Sequence, residues 1–70
     1  MITLTLIKER LQETIKQSGM TQKEIAEKIS VSQSCIAHYM MGDALPAFDT
    51  FANLCKVLDA DPAYILGLTD

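Results

Sequence analysis

Seventy residues suffice for one small core and not for two, since a chain this short buries only about 60% of its unfolded surface. Hydrophobic residues make up 49% and charged residues 21%, with three glycines and two prolines, a balance that excludes a disordered or fibrous chain. The net charge of −3 argues against any partner held by bulk positive charge, nucleic acid phosphates included.

No apolar run reaches the roughly 18 residues of a membrane span, and no basic segment leads into an apolar signal core. The chain is therefore expected in the cytoplasm, as one domain over residues 1–70. Its two cysteines, Cys35 and Cys55, are too few for a disulfide framework and read as reduced packing residues. Helix formers dominate and sustained apolar alternation is absent, so the expected fold class is all-α.

From about Leu4, the apolar positions Ile7, Leu11 and Ile15 recur at helical spacing. This first helix ends near Ser18, where Gly19 can take a left-handed cap. Thr21 and Glu24 then form a capping box, with Met20 placed to staple onto Ile25, so a second helix starts at Gln22 and runs to about Ile29. Ser30-Val31-Ser32 provides a tight turn and a new N-cap at Ser32. The third helix extends from there to Met41 and stops at Gly42. After the Asp43-Ala44-Leu45-Pro46 link, a fourth helix carries Phe48, Phe51, Leu54 and Leu58 on one stripe. Asp61 followed by Pro62 marks the start of a fifth, which closes at Tyr64-Ile65-Leu66-Gly67.

Helices two and three, from Gln22 to Met41, have the spacing that lets two helices cross steeply through a short turn. Ile25, Ile29, Val31, Ile36 and Tyr39 are expected to face the core, with Ala26 small where the third helix passes close. Gln33, Ser34, Ala37 and His38 are left pointing outward, a set polar and short enough to enter a major groove.

The run Thr21-Gln22-Lys23-Glu24-Ile25-Ala26-Glu27-Lys28-Ile29, with Val31-Ser32-Gln33-Ser34, Ile36, Tyr39 and Gly42-Asp43-Ala44-Leu45-Pro46, resembles the lambda-repressor-like (Cro or XRE type) helix-turn-helix family. The similarity extends over nearly the whole chain, closing helices included. It implies a five-helix bundle that binds double-stranded DNA and regulates transcription, as a repressor dimer on a palindromic operator, without a cofactor or small-molecule ligand. By the same resemblance Gln22 holds a phosphate, Gln33 reads a base, Ser34, Ala37 and His38 face the groove, and Ser32 caps the reading helix beside the DNA backbone. Glutamine suits its role because its amide can pair with N6 and N7 of adenine. The expected dimer face runs from Leu45 and Phe48 to the end of the fifth helix.

Three departures from the family pattern stand out. Ser30 occupies a turn position usually held by glycine. No Lys or Arg lies between Lys28 and Lys56, where relatives carry basic residues, so phosphate binding there falls to neutral donors. Arg10, Lys16, Lys23 and Lys28 are the cations expected near the DNA backbone. Finally, Ile15 and Met40 stand where many relatives pair an Arg with a Glu, a joint change to apolar residues that avoids a stranded buried charge.

Cys35 and His38 lie one turn apart, but structural zinc takes four ligands and the remaining soft one, Cys55, is on another helix, so no metal is expected. Nothing supplies an orienting group or oxyanion pocket for a thiol nucleophile, and no catalysis is expected. The acidic charge favours a rival reading, a helix-turn-helix relative that binds a protein partner.

Overall fold

Most helices begin where a polar side chain can satisfy the free N–H groups of a first turn. A computed structural model describes residues 1–70 and contains α1 (Leu4–Gln17), α2 (Gln22–Ile29), α3 (Gln33–Met41), α4 (Phe48–Leu58) and α5 (Pro62–Ile65), with no strand. Thr3, Thr21, Ser32 and Asp61 accept N–H bonds at the starts of α1, α2, α3 and α5, while Ala47 leaves α4 without a side-chain cap. The helix ends are equally local in origin. Gly42 closes α3 at φ 78°, and Ser30 and Asp59 close α2 and α4 in the same left-handed region.

The core takes residues from every helix: Leu11 and Ile15 from α1, Ile25 and Ala26 from α2, Ile36 and Tyr39 from α3, Leu54 and Cys55 from α4, and Ile65 from α5. No charged side chain is buried, and no buried side-chain nitrogen or oxygen lacks a partner. α2 packs on α3 and α4, while α1 packs on α3 and α5. α3 is thus wedged between α1 and α2, and burial of Ile36 and Tyr39 fixes its rotation. Ala26, only 3% exposed, supplies the small contact on α2 that the sequence anticipates.

One expectation is sharpened and one corrected. Phe48, expected both at the head of the α4 stripe and on the dimer face, is 92% exposed; the buried part of the stripe begins a turn later, with Phe51 half-buried and Leu54 fully so. Arg10 is not a free cation for a DNA backbone. Its guanidinium donates to the carbonyl oxygens of Tyr64 at 2.6 Å and Thr69 at 2.8 Å, and it lies over the Tyr64 ring at 4.4 Å. α1 is thereby pinned to the chain around α5.

Candidate nucleic-acid interface

The start of α2 is built by a reciprocal cap. Glu24 N–H donates to Thr21 Oγ1 at 3.1 Å, and Thr21 N–H donates to a Glu24 carboxylate oxygen at 3.0 Å. These bonds, the Thr21 backbone N–H first, hold the Glu24 carboxyl below its ordinary range, with a smaller contribution from Lys28. Glu24 is therefore occupied with the helix end. Gln22, half-buried, is the first residue of α2, and its neighbour Lys23 is exposed.

At the start of α3, the Ser32 hydroxyl accepts from Cys35 N–H at 3.3 Å and contacts Cys35 Sγ at 3.2 Å and Ser34 Oγ at 3.0 Å. That hydroxyl is committed to local contacts that fix where α3 begins. Gln33 is the next residue, exposed on the first turn. Ser34 and His38 are exposed as well, while Ala37 is half-buried between them and the core side of the helix. The six residues expected at the interface thus gather on the start of α2 and the outer face of α3, with Ala37 the least accessible on α3.

Sequence reasoning missed the partner of His38. Its Nδ1 lies 3.0 Å and 3.1 Å from the two carboxylate oxygens of Asp43, with both side chains about half exposed. The left-handed turn at Gly42 brings Asp43 back over the last turn of α3. Elsewhere on the domain, Ile15 is buried and Met40 half-buried against the core, on helices that pack together. No group of three or more His, Cys, Asp or Glu side chains gathers anywhere in the domain.

Two short helices packed together across a tight turn, the second capped and polar on its outer face, define a helix-turn-helix domain. The helix-turn-helix family model matches residues 11–65, and the chain belongs to this family, in its lambda-repressor-like (Cro/XRE) branch. The chain is similar to three proteins of Bacillus subtilis (strain 168). It is 34% identical to YobD, an uncharacterised HTH-type transcriptional regulator, over 89% of this chain and 55% of YobD. It is 32% identical to the HTH-type transcriptional regulator ImmR, over 84% of this chain and 46% of ImmR. With YqaE, another uncharacterised HTH-type transcriptional regulator, identity is 28% over 87% of this chain and 53% of that protein. The chain spans about half the length of these curated relatives. No solved structure matches.

Proposed function

We propose that this domain binds double-stranded DNA with α3 in the major groove and regulates a promoter by occupying it, as a repressor. The observation that carries this reading is the division of α3 into a buried face, Ile36 and Tyr39, and an exposed polar face, Gln33, Ser34 and His38, at a helix start held by Ser32. Gln33 reads an A·T pair through its amide, and Gln22 at the head of α2 holds a phosphate, helped by the free N–H groups that any helix start presents. Family membership and the names of the curated relatives support transcriptional regulation.

The domain acts as a homodimer on two half-sites about one helical turn apart, roughly 34 Å. With extents of 33 × 23 × 21 Å, two abutting copies have the size to meet that spacing. An apolar face supports self-association: exposed Leu4 and Phe48 border a groove of about 150 Å³ that also involves Ile7, Leu45, Phe51 and Leu66. One specific observation favours a protein-binding role instead, the absence of Lys and Arg between Lys28 and Lys56 in a chain of net charge −3.

Selection of binding sites from random duplexes at low salt, with wild type, Gln33→Ala and Gln22→Ala, tests the reading. Gln33→Ala is expected to lose about 1–3 kcal/mol on the preferred site and to relax preference at one A·T pair. Gln22→Ala is expected to weaken all sequences alike, because a phosphate contact carries no base information. No duplex binding by the wild type refutes the DNA reading in favour of the protein-binding one.

A further inference from the structure

His38 and Asp43 carry a consequence for which bases α3 can read. A carboxylate is acceptor-only, so the 3.0 Å and 3.1 Å approach of its two oxygens to Nδ1 requires a hydrogen on that nitrogen. In the neutral ring one nitrogen bears hydrogen and the other a lone pair. With Nδ1–H directed at Asp43, Nε2 is the acceptor. The contact also anchors the ring by its Nδ1 edge to the residue that follows the helix-ending glycine. The tether depends on Gly42, whose φ of 78° turns the chain back toward the helix end.

We infer that Asp43 is a positioning residue that, while the His38 ring is neutral, fixes it as an acceptor toward the major groove, selecting a base that presents an exocyclic amine: N4 of cytosine or N6 of adenine. The opposite tautomer, or a doubly protonated ring, presents Nε2–H and pairs with the N7 and O6 acceptors of guanine. The acidic residue beside the reading helix, unfavourable toward phosphate, thereby acquires a role in base choice. This inference rests on the DNA reading of α3 given above.

Two measurements test it separately. The first needs no DNA: long-range ¹H–¹⁵N correlation on the free protein at about pH 8.5, above the imidazole range. The wild type is expected to show a protonated Nδ1 and an unprotonated Nε2, and Asp43→Ala a shift toward the Nε2–H form, with the helical circular dichroism of both unchanged. A wild-type ring mainly in the Nε2–H form overturns the inference whether or not the domain binds DNA. The second is site selection at the same pH with wild type, Asp43→Ala and His38→Ala. Wild type is expected to prefer cytosine or adenine at one position by about fivefold, the worth of one ordinary hydrogen bond. Both variants are expected to lose that preference while keeping the one under Gln33. Uniform weakening on all sequences in Asp43→Ala makes the residue merely structural and refutes the inference while leaving the DNA reading intact. Absence of duplex binding by the wild type overturns both.

Discussion

Replacing Ser30 with glycine is expected to stabilise the domain by relieving the turn between α2 and α3. Ser30 sits at φ 59° and ψ 43°, where an L-residue is disfavoured by about 1–2 kcal/mol. Glycine avoids that cost but loses more backbone freedom on folding, by roughly 0.5–1 kcal/mol. Ser30 is exposed, so its removal sacrifices no burial. The net gain is about 0.5–1 kcal/mol, which in a domain of this size raises Tm by about 3–6 °C. Ser30→Val, β-branched in the same conformation, is expected to lose at least about 1 kcal/mol. Gly19→Ala calibrates the backbone effect, since Gly19 has φ 74° and open space around it; strain is added without a clash and is partly offset by the lost glycine freedom, for a net cost of about 0.5–1 kcal/mol. Thermal unfolding followed by far-UV circular dichroism reads all three. A Ser30→Gly protein no more stable than wild type, alongside a destabilised Gly19→Ala, refutes the claim that strain at Ser30 limits the turn.

Arg10→Met is expected to cost about 2 kcal/mol in chemical denaturation, from two charge-assisted bonds and a ring contact that are partly exposed. Because that guanidinium is committed to carbonyls, the salt dependence of DNA binding is expected to follow Lys16, Lys23 and Lys28 alone, with a log–log slope no steeper than about −2.7 per domain and unchanged in Arg10→Met. Met40→Glu is expected to destabilise by about 3 kcal/mol, and the double variant with Ile15→Arg to recover much of it; equal losses in the two proteins refute pairing of these positions. Alkali is expected to weaken the fold. Burial, aided by Cys35 for Tyr39 and by Asp61 for Cys55, raises the Tyr39 hydroxyl above its ordinary 10.0 and the Cys55 thiol above its ordinary 9.0. The folded state then holds these protons more tightly than the unfolded chain, so their contribution is complete below pH 9 and is lost as the pH rises through the folded values. Glu24 acts in the opposite direction, its contribution present above the carboxylate range and lost in acid. Denaturant midpoints across pH check both limbs.

Helix boundaries were legible because they are set by neighbours in sequence. The Thr21–Glu24 box, the Ser32 cap, Asp61 before Pro62 and the stop at Gly42 each involve residues within a few positions. Core positions followed from helical period, as with Ile25, Ile36 and Tyr39, but period alone does not say where a stripe runs past the edge of the core, and Phe48 lies beyond it. The Arg10 tie joins residues 54 and 59 apart in sequence, and no local pattern announces it. The His38–Asp43 pair is short in sequence yet unseen, because its geometry depends on a left-handed turn between its members. Among the candidate interface residues, the exposure of Gln33, Ser34 and His38 was legible through elimination: once the buried face of α3 is assigned, what remains faces out.

If α3 reads DNA as proposed, its two faces also separate heredity of fold from heredity of specificity. Gln33, Ser34 and His38 are exposed and none belongs to the core, while Ile36 and Tyr39 hold the helix in place without reaching its outer surface. Mutations at the three outer codons can therefore accumulate with little toll on folding, surface changes of this kind being worth within about 0.5 kcal/mol. On the proposed DNA reading, a library randomised at those positions is expected to be a population of folded proteins differing mainly in what they recognise, so duplicated copies of such a gene could diverge in target without first passing through an unfolded ancestor.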